Sequence, residues 1–447
     1  MNVSRAGRGD PAGHWAAPAA RGAVDAQVAV PGSKSMTNRA LVLAALADGP
    51  GSIANPLDSR DTALMRRALA ALGAGIDDGR ASRWLVSPGR PSGDAGVDVG
   101  NAGTVMRFVP PVAALTSVRV DFRGDARARE RPVGPILAAL RELGAVIDDG
   151  GRGAFPFAVR GTGSLAGGVV TLDASASSQL VSGLLLSAPR YDKGVEVRHR
   201  GPRAPSAPHI DMTVRMLRDA GAGVEAWAQD PTAPRREAPD TWRVHPGTVR
   251  CQHAVVQPDV SNAVPFLAAA LVTGGTVTVT DWPRVTAQPA RQILGLLAGL
   301  GAGCELSGGG LTVTGTGRIR GIAADLADAG EVAPVLAALG ALADSPSRLT
   351  GIGHMRRHET NRLAALATEI NALGGEVTEL ADGLEIRPRP LAASGRPFAS
   401  YDDHRMVMAA AVLGLAVPGL VVDNAATVGK TFPGFTARWA SMLERDP

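Results

Sequence analysis

At 447 residues, 45% hydrophobic and 20% charged, the chain is too long for one ordinary core and reads as a soluble globular protein of two or three domains. A formal charge of +4, with no Lys/Arg run interleaved with aromatics, argues against a nucleic-acid surface. The two cysteines, Cys251 and Cys304, lack CxxC or Cys/His spacing, which argues against a disulfide framework or a zinc site and fits a reducing compartment.

Residues 1–20 hold no apolar segment like that of a signal peptide. Later apolar runs are shorter than a membrane span or broken by Gly, Pro and charge, so the expectation is a cytoplasmic protein with no membrane partner. Of the 46 basic residues only Lys34, Lys193 and Lys430 are lysine. In so Arg-rich a chain a compact ammonium stands out chemically. Lys193, in YDKG before a short strand, reads as a turn residue; Lys34 in GSKS and Lys430 in GKTF ask for another reason.

In chain order, two kinds of helix alternate. Segments 40–47, 105–115, 179–188, 264–271, 332–343 and 406–416 are apolar nearly all round, the pattern of a helix buried on every side. Between them, 64–77, 136–148, 214–225, 293–305 and 366–377 carry charge on one side, Leu on the other and Gly at the end, the pattern of half-exposed helices with a glycine stop. Short alternating segments at 84–86, 118–122, 195–197, 241–244, 276–279, 311–313, 384–386 and 420–423 predict strands. Strand, buried helix, strand, exposed helix, strand, strand recurs six times, at roughly 70–85 residues per copy. The pattern predicts an α/β (α+β) protein of two similar domains, each of three βαβαββ copies with the buried helices inside walls of sheet.

All six buried helices have polar starts: 31–39 (PGSKSMTNR), 100–107 (GNAGTVMR), 175–179 (SASSQ), 258–262 (PDVSN), 328–331 (DAGE) and 401–405 (YDDHR). N-capping accounts for Ser35, Ser177 and Asp259. It does not account for Lys34 or for the arginines one turn in, Arg39, Arg107 and Arg405. If the buried helices of a domain run parallel, their free N–H groups meet on one face, which attracts anions. PGSKS is not a phosphate-binding P-loop, because Ser33 precedes Lys34 and Gln27 stands where the first Gly is needed, so no nucleotide is implied. The loops 124–132 (GDARARERP), 354–362 (HMRRHETNR) and 428–435 (VGKTFPGF) carry further charge. An Arg-rich loop is often a solvated surface, whereas His, Glu and Arg together before a helix combine proton transfer with anion binding.

PGSKSMTNRALVLAAL, GNAGTVMR, ERPVGP, SSQ, SAPHIDMT, HETNRL, DDHRMVMA and GKTFPGF, in that order between residues 28 and 436, resemble the 5-enolpyruvylshikimate-3-phosphate synthases among the enolpyruvyl transferases. The resemblance implies an inside-out α/β barrel in each of two domains, 32–256 and 1–31 plus 257–447. Hinges are implied near 31–34 and 256–258, with the active site in the cleft. It implies transfer of the enolpyruvyl group of phosphoenolpyruvate to the 5-hydroxyl of shikimate 3-phosphate with release of phosphate, by a monomer without metal or organic cofactor. Two phosphates and two carboxylates among the substrates suit the Arg and Lys residues singled out above.

Residue by residue, the resemblance implies Lys34, Ser35, Arg39, Ser177, Ser178, Gln179, Ser206, Glu331 and His358 at shikimate 3-phosphate. It implies Lys34, Gly103, Arg131, Gln179, Arg362, Arg405 and Lys430 at phosphoenolpyruvate, supported by Asn101, Thr104, Arg107, Asp403 and His404. Gly103 then implies sensitivity to glyphosate, which takes the phosphoenolpyruvate site in this family. Two-way proton traffic suits two carboxylates; we assign Glu331 to the hydroxyl and Glu359 to the methylene, with Lys34 stabilising developing charge. The residues by themselves leave the reverse assignment open.

Familiar members carry Asp where this chain has Glu331, Lys where it has His358, Asp where it has Asn361 and Tyr where it has His209. A titratable His358 predicts an affinity for shikimate 3-phosphate that falls as pH rises. The motifs also allow two other readings. The sister transferase acting on UDP-N-acetylglucosamine calls for a Cys in the loop around 124–131, where this chain has GDARARER. The other is a catalytically silent anion-binding paralogue.

Overall fold

The computed structural model describes residues 13–80, 82–229 and 239–444. Most of the segment read for a leader, residues 1–12, lies outside the described residues. The chain divides into two compact units, one of residues 31–259 and one of residues 1–30 with 260–447. Each has its own hydrophobic core.

In the 31–259 unit the helices are α1 (Lys34–Ala45), α2 (Arg60–Ala71), α3 (Gly103–Ala113), α4 (Gly134–Glu142), α5 (Gln179–Ser187) and α6 (Ala207–Asp219). The second unit has α7 (Val260–Thr273), α8 (Ala290–Gly299), α9 (Ala333–Ala341), α10 (Arg362–Ala372), α11 (His404–Gly414) and α12 (Phe435–Leu443). The odd-numbered helices are those with apolar character all round. α1, α3 and α5 pack on one another, as do α7, α9 and α11. Every residue of α3, α9 and α11 is buried, so these helices are held by packing rather than by propensity. The amphipathic helices α2, α4, α6, α8 and α10 stop where the sequence supplies a glycine. Gly73 after α2 has φ +98° and Gly374 after α10 has φ +95°, a conformation that costs other residues steric strain.

Each of five four-stranded sheets follows one plan: a parallel pair at one edge, then two antiparallel pairings. In the first unit the orders are His253–Val255, Gly51–Ala54, Arg83–Ser87, Gly75–Arg80; then Ala95–Asp98, Arg119–Arg123, Phe157–Arg160, Val146–Asp148; then Gly168–Leu172, Val195–His199, Thr241–Val244, Val224–Trp227. The second unit has Asp25–Val28, Thr276–Val279, Gly310–Thr314, Gly303–Ser307, and Ala323–Asp325, Ser347–Thr350, Gly383–Arg387, Glu376–Leu380. The strand Asp25–Val28 pairs in parallel with Thr276–Val279, and His253–Val255 with Gly51–Ala54.

Two expectations need correction. The sixth copy is abbreviated: Val421–Val422 pairs with Trp15–Ala16 and bridges Phe398, giving a two-stranded sheet where the repeat calls for another full copy. Among the described residues no sheet closes on itself, so in each unit the expected inside-out barrel consists of separate open sheets, with three buried helices, and not of one closed sheet. The repeat predicted the elements, but closure needs hydrogen bonding between sheets of different copies, and repetition does not specify that.

Candidate active site

The first unit gathers the starts of its buried helices. Asn38 Nδ2 on α1 donates to Thr104 Oγ1 on α3 at 2.6 Å, and Arg107 Nη1 on α3 donates to Gln179 Oε1 at the start of α5 at 3.2 Å. Gly103 sits among them. A Cβ there would stand 2.8 Å from Arg131 Nη2, 2.8 Å from Gln179 Oε1 and 3.1 Å from Arg107 Nη1, so only hydrogen fits without moving polar ligands. Arg131 is held by Asn101, donating to its carbonyl at 2.7 Å and to Oδ1 at 2.8 Å, while its buried Nε has no partner among the described residues. A buried, unspent guanidinium N–H is what an anion site requires. Lys34 Nζ pairs with Asp61 at 3.0 Å, a residue that composition and spacing did not mark. An acid in the first turn of α2 reads simply as favourable to the helix dipole.

Arg39 and Arg107 differ from solvent-facing cations. Arg39 is 1% exposed and donates to Thr213 Oγ1 (2.7 Å), the Ser35 carbonyl (3.0 Å), Ser182 Oγ (3.3 Å) and the His209 carbonyl (2.9 Å). Phe108 stacks beneath it at 5.1 Å. With no carboxylate among these partners, burial lowers its pKa to about 9. Arg107 turns Nε and Nη2 toward the Pro132 carbonyl at 3.1 and 2.7 Å. Both therefore tie buried helix starts to their neighbours, a role their residue type alone does not mark, and Thr213 and Ser182 join the set only through the structure.

The cap of α1 also differs from expectation. Ser33, not Ser35, is the N-cap, its hydroxyl accepting from Met36 N–H at 3.5 Å; Ser35 lies inside the first turn. Ser177 accepts from Gln179 N–H at 3.3 Å, and Ser178 is the N-cap position of α5. Ser206, before α6, has φ +54° and ψ +47°. That left-handed conformation is uncommon for serine and persists only where its surroundings hold it.

The second unit gathers the other predicted residues around Arg362, which is fully buried. Its Nε donates to Asp403 Oδ2 at 2.7 Å and Nη2 to Asp403 Oδ1 at 3.2 Å and Glu359 at 2.9 Å; Nη1 donates to Glu331 at 3.3 Å and to His358 Nδ1 at 3.3 Å. Burial would lower its pKa, but Asp403, Glu359 and Glu331 outweigh burial and raise it. Arg405 Nε lies 3.3 Å from Glu331, and its Nη1 donates to the Ser261 carbonyl at the start of α7. Partial burial alone would raise the Glu331 pKa; Arg362 and then Arg405 outweigh it and hold the carboxyl well below the usual range. His404 Nδ1 is 3.7 Å from Asp403, and Lys430 Nζ donates to the Asp402 carbonyl at 2.6 Å.

His358 overturns the titration expected of it. Burial first, then the Arg362 guanidinium, push its pKa down to about 3, so it is neutral across the physiological range. Arg362 can only donate, so Nδ1 is the acceptor and Nε2 carries the proton. Asn361, which the sequence left without an account, is the N-cap of α10 and accepts from Ala364 N–H at 3.3 Å. Asn and Asp cap equally well, so the missing charge costs the helix little. The loop Ala126–Glu130 contains no thiol; Cys251 is buried and its thiol pKa is pushed up to about 11. Among the described residues, no three His, Cys, Asp or Glu side chains group as a metal site, and no helix is long and apolar enough to cross a membrane.

The family model of EPSP synthase (3-phosphoshikimate 1-carboxyvinyltransferase) matches residues 18–439. A curated 3-phosphoshikimate 1-carboxyvinyltransferase from Kocuria rhizophila is 52% identical over 440 residues, covering 96% of each chain. Among solved structures, an EPSP synthase from Acinetobacter baumannii superposes with a TM-score of 0.76 at 24% identity, covering 96% of this chain and 98% of that one. The enolpyruvyl transferase NikO from Streptomyces tendae superposes with a TM-score of 0.71 at 18% identity, covering 95% and 96%. These two likenesses concern the fold.

Proposed function

The chain belongs to the EPSP synthase family, and from that membership we propose that it transfers the enolpyruvyl group of phosphoenolpyruvate to the 5-hydroxyl of shikimate 3-phosphate, a step toward the aromatic amino acids. Near-full-length agreement with a curated enzyme of that activity carries the reading. The C–O bond forms from the 5-oxygen to C2 of the enol as the hydroxyl loses its proton and the methylene gains one. Phosphate then leaves from C2 and the new methyl group returns a proton, restoring the double bond.

Lys34, Ser35, Ser177, Ser178, Gln179 and Ser206 are assigned to shikimate 3-phosphate. Gly103, Arg131, Arg362, Arg405 and Lys430 are assigned to phosphoenolpyruvate. Arg39 contributes by holding α1, α5 and α6 together, since four of its five N–H donors are already engaged. His358 serves as a neutral Nε2–H donor rather than a cation. Glu331 takes the hydroxyl proton and Glu359 serves the methylene. Held low by Arg362 and Arg405, Glu331 is a weak base without substrate. A substrate carboxylate that claims those guanidiniums frees Glu331 to become more basic, so the base strengthens as its substrate arrives. On this reading the enzyme is a cytoplasmic monomer needing no metal or organic cofactor.

Phosphate release from phosphoenolpyruvate, measured with shikimate 3-phosphate as acceptor, tests the assignment. Release dependent on both compounds is expected. Release only with UDP-N-acetylglucosamine would point to the sister reaction, and release with neither to a silent paralogue. Glu331→Gln is expected to cut turnover by about 10²-fold or more while shikimate 3-phosphate still binds.

A further inference from the structure

Glu369 lies on α10, two turns beyond Arg362 and therefore on the same face, about 10 Å further along the axis. It is 2% exposed and is not among the residues assigned to either substrate. Its Oε2 accepts from Arg396 Nη1 at 2.8 Å and from Ala399 N–H at 3.1 Å, and its Oε1 accepts from Tyr401 Oη at 2.9 Å.

These partners lead into an unusual turn. Tyr401 and Asp402 both have φ +53°, two successive non-glycine residues in the left-handed region, and Tyr401 is 40% exposed although its hydroxyl is anchored. A turn of that kind persists only where its surroundings hold it. The Ser400 N–H donates to Asp423 at 2.6 Å, and the Asp402 carboxylate accepts from Asn424. From the turn emerge two groups of the site: the Asp402 carbonyl, which receives Lys430 Nζ, and Asp403, which caps α11 and grips Arg362. α10 thus holds one short segment at two points, Arg362 on Asp403 and Glu369 on Tyr401.

We propose that Glu369, acting through Tyr401, is a positioning residue for phosphoenolpyruvate: it holds the left-handed Tyr401–Asp402 turn so that Lys430 and the Asp403–Arg362 pair are correctly aimed. The assignment rests on the function proposed above. It separates Glu369 from a merely structural carboxylate, because the groups it aims belong to one substrate only.

Tyr401→Phe removes one hydroxyl and preserves the ring, and Glu369→Gln replaces one acceptor oxygen by a donor that faces other donors. Backbone amide exchange and steady-state kinetics are measured on both variants and on the unmodified protein. Amides of the 400–405 segment are expected to exchange about tenfold faster in each variant. The KM for phosphoenolpyruvate is expected to rise about five- to tenfold, with the KM for shikimate 3-phosphate changed less than about twofold. Unchanged exchange overturns the positioning role whether or not the protein turns over. So does a rise of both KM values by one factor, which would mean an effect not confined to phosphoenolpyruvate. Absence of turnover in the unmodified protein overturns the reading of function and, with it, the role given to Glu369.

Discussion

Gly103 is a residue where a single methyl group would meet three polar side chains of the candidate site at once. Its missing Cβ leaves room between Arg131, Gln179 and Arg107, whose polar atoms would otherwise be met at 2.8 to 3.1 Å. None of the three can retreat freely: Arg131 is pinned by Asn101, and Arg107 is shared between Pro132 and Gln179. Gly103→Ala is therefore expected to raise the KM for phosphoenolpyruvate by about tenfold, equivalent to roughly 1.4 kcal/mol. Glyphosate inhibition is expected to weaken at least as much; equal inhibition constants in the two proteins would reject this placement of Gly103.

The helix α1 shows how one element serves packing and chemistry together. Ser33 caps it, Thr37 donates its hydroxyl back to the Ser33 carbonyl at 2.9 Å, and Arg39 one turn later fastens it to α5 and α6. Ser33→Ala removes a cap whose bond is long, so a loss near the lower end of the usual range, about 0.5–1 kcal/mol, is expected by urea denaturation. Ser35→Ala is expected to leave stability nearly unchanged and to act on substrate affinity instead. A larger stability loss at position 35 than at 33 would reverse the two assignments.

At the scale of the whole molecule, the buried titratable groups set the response to acid. His358 has a pKa of about 3 in the fold against 6.5 for an ordinary histidine, so the unfolded chain binds more protons between those values. Stability therefore falls as pH drops through that window, by at most about 1.4 kcal/mol per pH unit from this group. Glu331 acts in the same direction lower down. Its depressed pKa stabilises the fold above the ordinary value of 4.5, and that contribution is lost as pH falls toward the folded value. His358→Gln is expected to lose less stability than the unmodified protein between pH 7 and pH 5. Parallel stability curves for the two proteins over that interval would mean that His358 is not held neutral.

The six polar starts and the helices behind them were legible in the sequence because hydrophobic periodicity, glycine stops and strand alternation are local signals. Those local signals were enough for the repeating α/β architecture, the two classes of helix and, through the motifs, the family. Partnerships between residues far apart in the chain needed the folded molecule. Arg39 could be marked as a cation at a helix start, but its burial against Thr213 and Ser182, on α6 and α5, depends on how three helices meet. His358 looked titratable because its type is, and became neutral because burial and Arg362 disfavour its charge. Glu369 looked like one more charge on an amphipathic helix until the fold closed a left-handed turn over it. A side chain's identity is written in sequence, whereas its protonation and its hydrogen-bond partners belong to the space around it, and that space exists only once the chain has folded.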